Sequence, residues 1–319
     1  MAARASLASL GNPPGNPWPH RLAVVTAGAT FILILVGGLV TNTDSGLAVP
    51  DWPTTFGYNM FLYPWSGMVG GILYEHTHRL IGSVVGLLTL TLSLVTWAVE
   101  PRRWLRWLVG AALGAVILQG ILGGLRVVLV EETLAILHGI LAQAFFGLTG
   151  ALVLFTSRGW SEPTVPVRGG DAGPLRWLSR LTTVAIFLQI VFGALLTHLD
   201  ARLDAHLTLA ALIAVLVPLL SGRVWGILPE QRELTRSVAI LCGLLGLQLL
   251  LGLGSYVSRF TEFSLPLAPF SRLALPVGHR LIGGLMLVSS LALTLRLHRL
   301  LGSDESVPDR GPVSRRVSA

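Results

Sequence analysis

Eight apolar runs set the plan of the chain. Their limits are about 22–41, 70–98, 105–127, 134–156, 178–199, 206–226, 237–257 and 276–297. Each is close to the ~20 residues that carry a helix across a bilayer. The long interruptions fall at 42–69, 157–177 and 258–275. The pattern therefore predicts an all-α polytopic membrane protein with eight transmembrane helices. A Pro/Gly/Asn-rich leader over 1–21 and a polar, basic tail over 299–319 read as disordered. The runs also repeat. Gln119, Gln189 and Gln248 sit in the third, fifth and seventh runs, each followed four residues later by glycine: Gly123, Gly193 and Gly252. The first run has only Gly37-Gly38. Glutamine at helix depth with a nearby glycine reads first as ordinary helix packing. The repeat still predicts two similar four-helix units, 22–156 and 178–298, joined by a cytoplasmic linker over 157–177. Both units start on the same side, so an axis along the membrane normal relates them.

Composition strengthens the membrane reading. Hydrophobic residues make up 52% of the chain, charged residues 12%, and the mean hydropathy is +0.70; a soluble domain carries about a quarter charged residues. The net charge of +7 comes from arginine alone. Arg4, Arg21, Arg102, Arg103, Arg106, Arg158, Arg168, Arg176, Arg180, Arg223, Arg232, Arg236, Arg296, Arg299, Arg310, Arg315 and Arg316 fall on one side of the eight runs. Only Arg79, Arg126, Arg202, Arg259, Arg272 and Arg280 fall on the other. That asymmetry predicts both termini in the cytoplasm, and it makes the basic excess a topology signal rather than a nucleic-acid site. The single cysteine, Cys242, excludes an internal disulfide or a cysteine metal cluster and reads as a small apolar residue. No cleavage-site pattern follows the first run, so it reads as a span.

The candidate chemistry lies in the histidines. His20 falls in the leader and His298 in the basic end of the last run; both read as solvated. The others gather near the outer ends of the runs, and His78, His138, His206 and His279 open the second, fourth, sixth and eighth. One histidine in a spanning helix is usually hydrogen-bonded packing. Four, one on every even-numbered run at one level, predict bis-histidine ligation of two haem irons, His78 with His138 and His206 with His279. The residue one turn further along is small each time: Gly82, Ala142, Ala210 and Gly283. Space there lets a flat macrocycle approach the helix.

Around the first ligand runs Glu75-His76-Thr77-His78-Arg79. Glu75 shares a helix face with His78, whereas His76 points nearly the opposite way. Glu75 is thus the catalytic candidate, with a salt bridge to Arg79 as the equally weighted structural reading. His76 reads as a loop-facing group, and His198 likewise as structural. Arg79 and Arg280 each follow a ligand, where a planar guanidinium suits a haem propionate or snorkels to the headgroups. In the first outer loop, Asp51 and Trp52 stand either as a cover over the site or as a turn with an interfacial anchor.

Gly37-Gly38-Leu39-Val40, Ser45-Gly46-Leu47-Ala48, Pro50-Asp51-Trp52-Pro53 and Glu75-x-x-His78-Arg79 together resemble the haem A synthase family over roughly 22–298. The resemblance implies an oxidoreductase of the bacterial cytoplasmic membrane. It would oxidise a ring methyl of haem O to a formyl group through hydroxylated intermediates, with water as oxygen source, for haem-copper oxidase assembly. It implies that His78 and His138 face the substrate haem, that His206 and His279 hold haem b as cofactor, and that Glu75 acts near the methyl carbon. Haem O synthase, the prenyltransferase, is the partner it implies. Many bacterial members carry two cysteines in the first outer loop; Val49 and Thr55 stand there in this chain. The competing readings are a non-catalytic di-haem b electron carrier and a transporter with a proton path. A carrier has no use for a carboxylate beside one haem only, and a relay would string its histidines across the bilayer. The electron acceptor and the oligomeric state, a homo-oligomer included, stay open.

Overall fold

The computed structural model describes residues 16–162, 172–263 and 268–301. Its architecture is helical, with eight long helices: helix 1, Trp18–Asn42; helix 2, Gly71–Val99; helix 3, Arg103–Leu129; helix 4, Glu132–Thr156; helix 5, Ala172–Leu199; helix 6, Leu203–Ile227; helix 7, Arg232–Phe260; and helix 8, Ala268–Leu300. A short turn, Arg158–Ser161, follows helix 4. All eight are long and apolar enough to cross a membrane. At 1.5 Å per residue they measure roughly 38–50 Å, longer than the ~30 Å hydrocarbon layer, so their ends reach the headgroup zone.

Two boundaries differ from the hydropathy pattern. Helix 1 begins at Trp18 with proline in its first turn, where the missing N–H costs nothing. His20 is therefore helical, and its Nδ1 lies 3.2 Å from Thr156 Oγ1 on helix 4; it is not in a solvated leader. Helix 8 begins at Ala268, two turns before the apolar run, and Pro276 lies inside it. Ser271 and Arg272 lower the hydropathy there without stopping the helix. The remaining leader, residues 163–171 of the linker and the tail beyond Leu301 lie outside the described residues.

The helices pack as two rings. Helix 1 meets helices 2 and 4, and helix 3 meets the same two; helix 5 meets 6 and 8, and helix 7 meets 6 and 8. Each ring closes on its own apolar core, around Val85, Leu105 and Leu152 in the first and Leu220, Leu241 and Leu293 in the second. The rings join through helices 1, 4, 5 and 8. Small residues make that join close: a side-chain carbon at Gly150 would stand 2.6 Å from Val288, and Gly147 faces Leu287. Without a hydrophobic drive inside lipid, such close packing carries much of the association. Buried hydroxyls add to it within the second ring. Thr183 Oγ1 lies 2.7 Å from Ser290 Oγ and 2.9 Å from Thr294 Oγ1, between helices 5 and 8.

The loop between helices 1 and 2 is ordered by its own turn chemistry. β1 (Thr54–Thr55) and β2 (Tyr58–Asn59) pair antiparallel across Phe56 and Gly57. Both turn residues have positive φ, 50° and 80°, as a two-residue hairpin requires. Asp51 accepts hydrogen bonds from Thr54 Oγ1 and from the backbone N–H groups of Phe56 and Gly57. Desolvation pushes its carboxyl up, but those bonds together hold it below the usual carboxylate range.

The inter-ring contact makes a paired prediction. Gly150→Leu should cost about 1–3 kcal/mol by overpacking and lower the thermal unfolding midpoint in detergent. Gly28→Leu, which meets nothing within 4 Å, should leave the midpoint unchanged. Equal midpoints for the two variants would contradict this packing.

Candidate functional site

The four histidines of helices 2, 4, 6 and 8 meet two by two at one end of the rings. The imidazole centres of His78 and His138 are 6.2 Å apart, and those of His206 and His279 are also 6.2 Å apart. Only His206 lies in the first turn of its helix. His78 is the eighth residue of helix 2, His138 the seventh of helix 4 and His279 the twelfth of helix 8, each beyond the first turn.

Each ring is seated against a glycine of the preceding helix. A carbon added at Gly37 would stand 3.0 Å from His78 Cε1, at Gly123 3.1 Å from His138 Cε1, at Gly193 3.4 Å from His206 Cε1, and at Gly252 2.9 Å from His279 Cε1. The repeated glutamines complete three of these seats. Gln119 Nε2 donates to the His138 carbonyl at 3.0 Å, while His138 Nδ1 lies 3.2 Å from the Gln119 carbonyl. Gln189 Nε2 reaches the His206 carbonyl and its ring Nε2, at 3.0 and 3.2 Å. Gln248 Nε2 lies 3.3 Å from His279 Nε2, and His279 Nδ1 is 3.1 Å from the Gln248 carbonyl. The Gln-x-x-x-Gly repeat, read from the sequence as ordinary packing, is thus the wall of a histidine seat. The glycine one turn after His78 and after His279 has a related use. Gly283 faces the Gln248 amide and Gly82 faces Leu33, so it admits the side chain of the neighbouring helix.

These pairs fit a haem better than a bare ion. A bare cation takes four or more donors, and among the described residues no three His, Cys, Asp or Glu side chains converge. Two imidazoles suit a metal whose other positions a macrocycle fills. With about 2 Å from each imidazole nitrogen to a metal and about 1 Å from nitrogen to ring centre, two rings facing one metal stand roughly 6 Å apart. Buried polar atoms remain without a partner around the pairs: His78 Nδ1, His206 Nδ1 and the Oε1 atoms of Gln119, Gln189 and Gln248.

The first pair alone has a carboxylate. Among the described acidic residues only Glu75 and Glu100 are buried, and Glu100 follows helix 2 at the opposite end. Glu75 Oε1 accepts from Arg79 Nη2 at 2.7 Å, and Oε2 accepts from the Val49 N–H at 2.9 Å. Arg79 also donates to three loop carbonyls, those of Val49, Asp51 and Thr54, at 2.7–3.0 Å. Its two terminal nitrogens are therefore spent on the loop and Glu75. That differs from the expected propionate contact, for which no fork remains. His76 is buried against the loop, 3.1 Å from Thr55 Oγ1 and packed on Tyr63, away from the pair. Trp52 covers Gly124 of helix 3, next to the glycine that seats His138.

Two other arginines stand differently. Arg126, near the end of helix 3, lies within electrostatic reach of Glu75, His78 and His138. Arg280 reaches from helix 8 toward Gly38 of helix 1 and lies beside His279. Both are half-buried, and neither hydrogen-bonds or ion-pairs with a described residue. His198, on helix 5, lies within electrostatic reach of both. Arg126 was not singled out from the sequence. The signal was present, since it is one of few arginines on its side and interrupts the end of an apolar run.

Comparison with known proteins identifies the family. The family described as cytochrome oxidase assembly protein (COX15-CtaA) matches residues 67–208, which carry Glu75, His78, Arg126, His138 and His206. A protein named heme A synthase from Shouchella clausii is 29% identical over 234 residues, covering 70% of this chain and 72% of that protein. Another of that name from Rhodopseudomonas palustris is 31% identical over 257 residues, covering 68% and 67%. A third, from Lysinibacillus sphaericus, is 31% identical over 186 residues, covering 56% and 58%. With its eight helices, two histidine pairs and this extent of identity, the chain belongs to the haem A synthase family.

Proposed function

We propose that the chain converts haem O to haem A for cytochrome oxidase assembly, oxidising one ring methyl to a formyl group by way of hydroxylated intermediates. The observation that carries this reading is the unequal surroundings of two like histidine pairs in a member of this family. Only His78 has a carboxylate one turn before it. The equivalent positions are Ala135 before His138, Leu203 before His206 and Pro276 before His279. A di-haem electron carrier would need no such difference.

The first pair, His78 and His138, takes the substrate haem. The second, His206 and His279, takes haem b, which supplies a redox centre for electrons leaving the reaction. Taking a methyl group to a formyl group with oxygen from water releases four electrons and four protons. The electrons go to an acceptor outside the chain. Glu75 is the group placed to take a proton beside the first pair, and Val49 and Arg79 hold its two oxygens in fixed directions. Arg126 and Arg280, lacking partners of their own, are the cations for the propionates, one beside each pair. The Arg79 clamp draws the loop with Trp52 over the first pair and keeps bulk water from it. The histidine-bearing end faces outward, by the arginine asymmetry. Haem O synthase remains the partner whose product this site consumes.

Four outcomes test the reading. Haem extracted from cells that also make haem O should contain hydroxylated and formyl haem; absence of both would refute the enzyme. Glu75→Gln should lower haem A formation by about 10²–10⁴-fold, the range for loss of a general base, while the bis-histidine absorption spectrum persists. His206→Ala or His279→Ala should each remove the low-spin b-type spectrum of the cofactor, and an unchanged spectrum in both would refute the ligand assignment. Arg126→Gln should weaken retention of the substrate haem by about tenfold, in line with one charge-assisted bond, and leave the cofactor spectrum intact.

A further inference from the structure

Leu87 and Leu94, each 63% exposed, mark one side of helix 2 within its span. Helix 2 packs on helices 1 and 3, away from the join between the rings, so that side is left to the bilayer. His76 lies on the same line, three turns before Leu87 and five before Leu94 at 3.6 residues per turn. Yet His76 is 1% exposed. Its cover comes from the loop between helices 1 and 2. Thr55 Oγ1 stands 3.1 Å from His76 Nδ1, and the Tyr63 ring packs on the imidazole with centres 5.2 Å apart. The loop therefore folds down the lipid-facing flank of helix 2.

Trp97, near the other end of helix 2, gives the depth of that contact. Tryptophan collects at the membrane boundary, and about 20 helical residues cross the hydrocarbon. Counted back from Trp97, the opposite boundary falls near Thr77. His76 and the loop segment packed on it thus lie at headgroup level. The composition of the segment suits that level. No residue from Trp52 to Tyr74 carries a charge, whereas the connection between helices 3 and 4 carries Glu131 and that between helices 5 and 6 carries Asp200 and Arg202. Phe61, Leu62 and Trp65 project from the segment, 64%, 76% and 80% exposed.

The tryptophans point the same way. Of the nine, seven lie at the end of the rings remote from the histidine pairs, Trp18, Trp97, Trp104, Trp107, Trp177 and Trp225 of them exposed. Trp52 and Trp65 belong to the histidine end. Trp52 is turned onto Gly124 of helix 3, so the tryptophan left to anchor in this leaflet is Trp65.

We propose that the tip of this loop docks into the leaflet at the histidine-bearing end, with Phe61, Leu62 and Trp65 entering the boundary between headgroups and acyl chains. The bilayer is the occupant because the patch is uncharged, lies at the depth of that boundary and continues the lipid-facing side of helix 2. Apolar and aromatic side chains bind such a boundary in proportion to the apolar area they bury. The same loop supplies the Val49 N–H to Glu75 and three carbonyls to Arg79. One face of the loop thus holds the carboxylate while its tip is held by lipid. The inference is independent of which haem each pair takes.

The experiment uses the full chain in nanodiscs holding one copy, with Cys242→Ala as background and a nitroxide on Leu62→Cys. Power saturation compares access of molecular oxygen, which enters lipid, with access of a nickel chelate, which stays in water. Labels on Leu87→Cys and Glu131→Cys give the lipid and water references. The oxygen-to-nickel ratio at Leu62 is expected several-fold above that at Glu131. Trp65→Glu should lower it toward the Glu131 value without moving the thermal unfolding midpoint, since Trp65 is exposed, and Trp65→Phe should preserve it. A Leu62 ratio equal to that of Glu131 would overturn the inference. Poor access of both reagents would overturn it too, because the tip would then be covered by protein. A ratio unmoved by Trp65→Glu would remove Trp65 as the anchor.

Discussion

An imidazole inside a low-dielectric bundle must find a partner for each ring nitrogen, and that requirement organises this molecule. Lipid offers no hydrogen bonds, so the neighbouring helix must. Each histidine is answered by the helix just before it in the chain, through a glycine that lets the ring approach and, three times in four, a glutamine one turn earlier. His138 and His279 turn Nδ1 to a main-chain carbonyl of that helix, and the amides of Gln189 and Gln248 reach Nε2 of His206 and His279. Four repetitions of that helix-pair contact build two metal-sized gaps at one depth. The short connections between helices 3 and 4, and between 5 and 6, keep the seat and its histidine side by side.

The two rings differ around their histidines. The second ring has Leu203 and Pro276 in the register of the carboxylate, and an amide reaches the ring of each of its histidines. The first ring has Glu75 and a covering loop. Arg79 ties these features together, because a single guanidinium binds the carboxylate and three loop carbonyls at once. The loop thus depends on the same residue that orients Glu75, so the carboxylate and the loop are coupled through one side chain. Val49 and Thr55 of the same loop touch helix 2, Val49 through Glu75 and Thr55 through His76. Hydrogen bonds do the fastening in this chain.

Much of this was legible beforehand. The spans follow from runs of apolar residues, because a bilayer demands length and hydropathy of a helix and little else. The four histidines stand out because polar side chains are rare in such runs, and Glu75 shares a face with His78 by helical spacing alone. Other features were not legible. Helix 8 continues through Pro276 and Arg272, since hydropathy marks the part of a helix inside lipid and not the helix itself. The glutamines looked like packing residues because nothing local shows which neighbour an amide will meet. The Arg79–Glu75 salt bridge was legible from helical spacing, but the loop partners of Arg79 and the setting of Arg126 were not, for the same reason. Both are single arginines near a helix end, and only their surroundings show that one is saturated and the other unpartnered.

By itself, the order of residues determined the membrane class, the number of spans, the candidate ligands and the lone carboxylate. All of these depend on composition and on spacing within one helix. Only the tertiary structure decided which helix seats which ring and which arginine is free to meet an anion. Those are contacts between helices. Their geometry is set by how eight rods pack around two gaps, which no periodicity along one rod contains.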